Sequence, residues 1–462
     1  MDSRRNQDRL SSLSDILLIL IISYLPFKEA VKTSVLAKRW KNLYRETTNV
    51  SFKESEFVKC SVLDDEDTKR DARVSFVDYM VDWVSGFPGQ VVERFELCLS
   101  KPVGFETEIN SLIEFAVSKK VKNLVLDFSD PSWITSNQAS VFQLPECVYN
   151  LVNLESFKLF ACGFVPSRVV NSGSLKRLCF GWIQLGNIES LILKSHLLES
   201  LTIQNCWNVG LEMITRDNNR LIELIFENCD FATEYSTLDL SNIQIFKYSG
   251  KVHYFQFMEV NKNMKEAYLD FGAAAEYNDA TGTHLSGLLY DLKSAKKLTV
   301  CPFLTQLIKD GDDPVRLQAP METKHLVMKT NMQPNEFVGI RLMINSCPYL
   351  ETLTFVMVPP RPEYSTTALG FDPDKYWTFK ITHKCLKSTL KVVEVRSFSG
   401  GLRECQVLQY LIRYGRVLER VDLYLSSEME EGQKILARAA AHTIVTRFAK
   451  GSSRLSILLH DV

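Results

Sequence analysis

Nucleophilic, metal-centred or acid–base chemistry in this chain would fall to eleven cysteines, seven histidines and a large stock of carboxylates. Their spacing arranges none of it. The histidines run from His196 to His460 without ligand spacing. His325, beside an expected strand, reads as a surface or hydrogen-bonded side chain rather than a metal ligand. The cysteines are odd in number and form no Cys-x-x-Cys pair, against both a disulfide framework and a zinc finger. No basic neighbour marks any thiol as a thiolate. A Gly-rich phosphate loop, a Gly-x-Ser-x-Gly elbow and a His-Glu-x-x-His helix are all absent, and Gly400-Gly401 reads as a turn. The chain is expected to catalyse nothing itself and to need neither cofactor nor metal.

What the sequence offers instead is a surface for holding another molecule. One row of strand residues points away from the expected core: Lys158, Cys179, Thr202, Ile225, Lys247, Tyr268 and Thr299. The next row is Phe160, Gly181, Gln204, Glu227, Ser249 and Asp270, with Trp182 close by. From these, Lys158, Phe160, Trp182, Thr202, Gln204, Ile225, Glu227, Lys247, Tyr268 and Asp270 are read as facing a protein target. The mixture of aromatics, both charge signs and small residues suits protein recognition.

A repeated unit must position these rows. Its template is Leu-x-x-Leu-x-Leu, often with Asn or Cys three residues on. Leu154/Phe157/Leu159/Cys162, Leu198/Leu201/Ile203/Cys206 and Leu221/Leu224/Phe226/Cys229 fit it, and Leu175/Leu178/Phe180 fits without the cysteine. Looser copies run from Val92/Phe95/Leu97 to Leu350/Leu353/Phe355. The central starts at 154, 175, 198, 221, 243 and 264 lie 21 to 23 residues apart, a leucine-rich-repeat period. Residues 154–271 are therefore expected as parallel strands of one curved sheet with helices or loops outside it. Flanking spacings of 27 to 33 residues imply inserted helices. One unit cannot bury its own apolar face, so the stack is the core. Cys162, Cys206 and Cys229 read as structural thiols at the turns.

The N-terminus has a different character. Residues 16–22 are apolar on nearly every helical face and follow Leu13-Ser14-Asp15, with Asp15 placed to cap the helix and Pro26 to stop it. Such a helix needs cover on nearly all sides, more than a module of about 40 residues supplies. Leu13 to Asp15, Ser23-Tyr24-Leu25-Pro26, the stretch from Ala30 to Leu36 and Lys38-Arg39-Trp40 together resemble the plant-type F-box. Ser14 stands where that family usually has proline, Ile16 where it has glutamate and Leu20 where it has a polar residue. The resemblance implies a Skp-type adaptor and, through it, a cullin as partners. It assigns adaptor contact to Leu13, Ser14, Asp15, Leu17, Leu18, Ile21, Leu25, Val31, Val35, Leu36 and Trp40.

At the other end, Cys385-Leu386-Lys387-Ser388-Thr389-Leu390-Lys391, Phe398-Ser399-Gly400 and Arg416-Val417-Leu418-Glu419 resemble the FBD region of plant F-box proteins. Tyr414-Gly415 departs from its usual Asn-Ala. Leu390/Val393/Val395 and Leu418/Val421/Leu423 repeat the strand template, so this region should continue and cap the repeats. The fold expected is α/β: a three-helix F-box over 8–50, a linker with a helix over 51–90, and an irregular leucine-rich-repeat solenoid over 91–358. A linker or long loop follows over 359–384 and an FBD-like region over 385–460. Within the first linker, residues 76–84 read as an amphipathic helix.

Charge is balanced, 54 basic against 55 acidic residues, which gives no argument for nucleic acid. Asp8 and Asp15 interrupt the basic N-terminus, and the apolar run is short of the roughly 18 residues of a membrane span. The expected locale is cytoplasm or nucleus, with reduced thiols. The resemblance implies a substrate receptor of a cullin–RING ubiquitin ligase; the alternative is a repeat scaffold with a degenerate F-box and no ligase role. A small signalling molecule in the repeats, as in some hormone-receptor F-box proteins, is disfavoured because no basic cluster suggests a polyphosphate cofactor.

Overall fold

The computed structural model describes residues 10, 12–58, 65–89, 91–133, 142–150, 152–215, 220–271, 279–306, 320–359, 370–378 and 383–461. The chain forms two compact units, Met1–Leu211 with Cys229–Thr233, and Glu212–Asn228 with Glu234–Val462.

The first unit begins with α1 (Asp15–Ser23) and α2 (Phe27–Lys32), then 3-10 turns over Thr33–Val35 and Lys38–Glu46. Ser14, not Asp15, occupies the N-cap position, and its side chain makes no cap bond. The Asp15 carboxylate is taken by Arg39 instead, at 2.6 Å, while Arg39 also donates to the Leu13 carbonyl. This ties the helix start to the Lys38-Arg39-Trp40 turn. Leu18, Ile22, Ala30, Trp40 and Leu43 form the core of the module.

Strand β1 (Asn49–Lys53) was not expected; it pairs with β2 (Arg94–Cys98) and buries Val50 and Phe52 completely. A short α3 (Glu54–Phe57) and a long α4 (Glu66–Ser85) follow. Helix α4 starts ten residues before the amphipathic stretch at 76–84, because Asp65 accepts the Thr68 N–H at 2.7 Å and sets the first turn there. Phe27, Phe52 and Trp83 meet edge to face at 5.1–5.5 Å. The N-terminal module is thus packed against the first strand rather than flexibly linked to it.

Then come α5 (Glu106–Ser118), β3 (Asn123–Asp127), β4 (Ser156–Phe160), β5 (Arg177–Gly181), β6 (Gln184–Asn187), α6 (Glu189–Lys194), β7 (Ser200–Gln204) and β8 (Trp207–Gly210). The described residues give one parallel sheet in the order β1-β2-β3-β4-β5-β7, with β6 and β8 paired separately.

The second unit holds β9 (Met213–Ile214), β10 (Glu223–Glu227), β11 (Tyr235–Leu238), β12 (Ile245–Ser249), β13 (Tyr254–Phe257), β14 (Glu266–Asp270) and α7 (Asp279–Asp291). It continues with β15 (Lys297–Val300), α8 (Pro302–Gln306), β16 (His325–Thr330), α9 (Phe337–Ser346), β17 (Thr352–Met357) and α10 (Lys384–Ser388). It ends with β18 (Val392–Arg396), α11 (Leu402–Tyr414), β19 (Arg420–Leu425), α12 (Glu431–Arg447) and β20 (Ser456–Asp461). Strands β10, β12 and β14 to β20 make one parallel sheet in chain order, and β13-β11-β9 a small second one.

Each template strand lies where the sequence puts it, and its inward pair is buried. Leu224/Phe226, Phe246/Tyr248, Ala267/Leu269 and Leu353/Phe355 are all fully buried. A buried Leu or Phe contributes roughly 1.5–3 kcal/mol before entropy is subtracted. Connection length then decides the outer layer. The 29-residue step from Arg94 to Asn123 holds the 13-residue α5, and the 28-residue step from Val392 to Arg420 holds the 13-residue α11. The central 21–23-residue repeats leave no room for a full helix beside their turns. Short strands β6, β8, β9, β11 and β13 and the six-residue α6 run there, where helices or loops were expected.

Backbone at the strand ends repeats as well. Ala161, Trp182, Asn205 and Asn228, each the residue after a strand, have φ of +51° to +56°. That left-handed step lets the next N–H continue the ladder, Ala161 to Gly181 O and Trp182 to Gln204 O. Cys229 Sγ donates to Ile203 O at 3.2 Å and Cys206 Sγ to Gln204 O at 3.4 Å, the structural role expected of these thiols.

The stretch expected as a long loop, 359–384, lies largely outside the described residues. Its described part carries a 3-10 turn at Tyr376–Thr378, with Tyr376 and Trp377 buried against Phe337 and Tyr410.

Candidate functional site

Helix α1 has two apolar sides. Leu18 and Ile22 turn inward onto Ala30, Trp40 and Leu43. Ile16, Leu17, Leu20, Ile21 and Tyr24, spaced to share the opposite side, stay in solvent, Ile16 at 79% and Tyr24 at 82% exposure. Leu25, Val35 and Leu36 are exposed too, Val35 at 84%. A module whose core is already complete therefore shows several large apolar side chains on its surface, as interaction sites do.

Of the residues assigned to adaptor contact, Leu18 and Trp40 are withdrawn: both are buried in the module itself, at 0% and 4% exposure. Leu13 is half-buried against that core, Val31 is half-buried, and Ser14, Asp15, Leu17, Ile21, Leu25, Val35 and Leu36 are exposed. Ile16, Leu20 and Tyr24, exposed on the same side of α1, were not in that set. Their signal was the helical spacing they share with Leu17 and Ile21.

The outward strand rows fall into two groups. In the first unit Lys158 is exposed, Thr202 is half-buried in the same row, and Phe160 lies across Gly181 from Gln204. A Cβ on Gly181 would strike the Phe160 ring, so glycine there lets the ring lie flat on the sheet. Trp182 meets Trp133 edge to face at 5.6 Å.

In the second unit the register brings Ile225, Lys247, Tyr268, Thr299, Val327, Thr354, Glu394 and Asp422 into one outward row. Glu227 and Asp270 occupy the row beside it. Ion pairs cross these rows. Glu266 receives Lys297 at 3.1 Å and Lys247 at 3.5 Å. Lys329 reaches over β15 to Asp270 at 2.6 Å and donates to the Tyr268 hydroxyl, which itself donates to Asp270 at 3.1 Å. His325 and Thr354 sit 3.0 Å apart, and Thr354 donates to Glu394 at 3.2 Å. A shallow cavity of about 410 Å³ lies over this network.

Partial burial shapes these charges. It raises the Glu266 carboxyl, but the Lys297 hydrogen bond and the Lys247 charge outweigh it, so Glu266 titrates below its ordinary value. Burial lowers Lys329, and its bonds to Asp270 and Tyr268 outweigh that, lifting it above the usual ammonium. Desolvation pushes His325 below its ordinary value. Sequence reading found Lys247, Tyr268 and Asp270 here. It did not find Glu266, Lys297 or Lys329, and it set His325 aside as a surface or hydrogen-bonded residue, the second of which holds.

Replacing Lys329 by Met should lower the thermal stability of the chain by about 1–3 kcal/mol, because Asp270 Oδ1 is already buried without a partner. A melting curve unchanged by Lys329→Met would show the pair to be ornamental.

Among the described residues no cluster of His, Cys, Asp and Glu is placed to hold a metal. No described helix is long and apolar enough to cross a membrane.

An F-box domain model matches residues 10–43 and an FBD model residues 382–423. The chain is 51% identical over 449 residues to F-box protein At3g62230 of Arabidopsis thaliana, covering 96% of this chain and 97% of that one. It is 47% identical to putative F-box/LRR-repeat protein At1g56400 of the same plant, over 93% of each chain. Against putative F-box/LRR-repeat protein At5g54820, also from Arabidopsis thaliana, it is 46% identical over 96% of each. A solved leucine-rich-repeat protein of Leptospira interrogans aligns over 75% of this chain at 15% identity and a TM-score of 0.30, too low to speak for the fold. Exposed apolar module, parallel repeat strands and near-full-length relatives agree: the chain belongs to the F-box/LRR-repeat proteins that carry an FBD region.

Proposed function

We propose that this protein is a non-catalytic substrate receptor of a cullin–RING ubiquitin ligase. Its F-box docks on a Skp-type adaptor, and its outward strand rows hold a protein target. The observation that carries this reading is the exposed set Ile16, Leu17, Leu20, Ile21, Tyr24, Leu25, Val35 and Leu36 on a module with a finished core. Burying them against a partner removes a large apolar area from water. Packing of Phe27, Phe52 and Trp83 fixes the F-box on the first strand, so the direction from adaptor to repeats is defined within that unit. Catalysis is then proximity: a target lysine is held near a charged conjugating enzyme without chemistry by this chain.

The half-buried ion pairs of the second unit suit a target that presents both charge signs. Electrostatic matching of this kind sets specificity more than affinity. The cytoplasm or nucleus, where cullin ligases work, is the corresponding locale.

Expressed alone, the chain should aggregate or elute as soluble oligomers, and co-expression with the adaptor should give a monodisperse complex. Size-exclusion chromatography of the two preparations decides it. A free chain that is monomeric, and unchanged by the adaptor, sinks the proposal.

A further inference from the structure

A cavity of about 840 Å³ opens in the second unit between α7 and β13, and it shares no residue with the ion-paired strand face. Small organic ligands occupy pockets of about 300–1,000 Å³. Its walls are aromatic: Tyr235 on β11, Tyr254 and Phe257 on β13, and Tyr290 on α7. The His284 ring lies against the Tyr254 ring, centroids 4.3 Å apart and tilted by 31°. Among the described lining residues the carboxylates are Asp291 and Glu234, and there is no lysine or arginine.

Asp291 is the group that asks for a counter-charge. Its Oδ2 accepts the Phe257 N–H at a long 3.3 Å. Burial pushes its carboxyl up to about 6, against that bond and the neighbouring Lys293. Lys293 itself lies over the Tyr290 ring, 4.0 Å from the centroid. Helix α7 also leaves room. Gly287 sits in its middle, where glycine weakens a helix relative to alanine. A Cβ added there would meet no atom within 4 Å. No close approach requires glycine at that position, and its missing side chain widens the cavity.

We propose that this cavity binds an organic monocation, an alkylammonium or guanidinium group on an apolar body. Asp291 and Glu234 supply the counter-charge, and Tyr235 an aromatic wall. A cation opposite Asp291 favours the ionised carboxylate that burial disfavours. Guanidinium and alkylated ammonium groups are attracted to tyrosine faces. An anion would meet two carboxylates, and a neutral ligand would leave the half-buried Asp291 with only the Lys293 charge nearby to favour its ionised form.

Calorimetric titration of the full chain, co-purified with the adaptor, with n-butylguanidinium chloride, and with n-pentanol as neutral counterpart, tests the site. Saturable binding of the cation is expected, with the alcohol weaker by about tenfold or more. Asp291→Asn should weaken the cation about tenfold and leave the alcohol unchanged. Gly287→Leu fills the cavity from a helix it strengthens, and should abolish both. Should Asp291→Asn fold poorly, Gly287→Leu and Glu234→Gln carry the test, since both positions are exposed. A peptide, acetyl-Ala-Ala-Arg-Ala-Ala-amide, separates the two sources of the cation. Tighter binding of the peptide than of butylguanidinium identifies a protein side chain, the reverse order a free small amine, and either upholds the site. Equal affinity for cation and alcohol overturns it. So does cation binding that survives Asp291→Asn or Gly287→Leu.

Discussion

Ile16→Asp combined with Leu20→Asp should abolish capture of the adaptor and leave the fold intact, whereas Leu18→Asp should destroy the F-box itself. Ile16 and Leu20 are 79% and 52% exposed, so aspartate there is harmless in the free chain. At the interface each new carboxylate must shed its water without a partner, at several kcal/mol. With about 1.4 kcal/mol per decade, a micromolar complex is lost. Leu18 has no exposure and packs on Ile22, Ala30, Trp40 and Leu43, where truncation to alanine alone would cost about 2–5 kcal/mol. Co-purification with the adaptor and thermal melts of the three chains distinguish these outcomes. Retained adaptor binding by the double variant would show that α1 docks elsewhere. A parental melt for Leu18→Asp would show the assigned core to be wrong.

The second large effect is one of pH. Glu336 precedes α9 with no exposed surface, hydrogen-bonded to the Thr330 hydroxyl and, at 3.3 Å, to the Gln306 amide. Burial pushes its carboxyl from 4.5 up to about 7, over the opposing effect of those bonds. The folded state therefore holds a proton that the unfolded chain has already released. Stability falls as pH rises from about 4.5 to about 7, by about 1.4 kcal/mol per unit and about 3 kcal/mol in all. Above that window both states are ionised and the slope from this group ends. Glu336→Gln keeps the shape and removes the proton exchange, so the variant should gain over the parent at pH 8 and match it at pH 4.5. Urea unfolding at the two pH values measures the difference. Parallel pH profiles for variant and parent would refute it.

Legibility followed the physics of each element. Every strand with the Leu-x-x-Leu-x-Leu spacing was visible because its inward residues must stack on the copies beside it. Strand β1 was not, since Thr47 stands three residues before Val50, where the template has its first apolar residue. Helix α4 showed its buried set of Phe76, Val77, Met80 and Trp83, but its charged first turns carry no apolar mark. In α1, apolar on nearly all sides, composition does not say which side faces inward. Ala30, Trp40 and Leu43 decide that from elsewhere in the chain. The strand-face network was half visible. Lys247, Tyr268 and Asp270 announce themselves as outward residues, while their pairing with Lys297 and Lys329 exists only once the register is known. Carboxylates such as the buried Glu336 and the half-buried Asp291 leave no local trace at all.

The cysteines carry a consequence of another kind. Among the described residues Cys162, Cys206, Cys229, Cys301, Cys347 and Cys385 are buried, spread along the chain from the end of β4 to α10. Burial pushes Cys301 and Cys385 up to about 11 and Cys347 to about 12, and raises Cys162 and Cys206 as well. A thiol that is both hidden and protonated does not alkylate until its turn opens. The native chain thus contains its own set of internal clocks. The order in which these thiols take up a mass-tagged maleimide would time the loosening of each turn separately, and show where along the repeats unravelling begins.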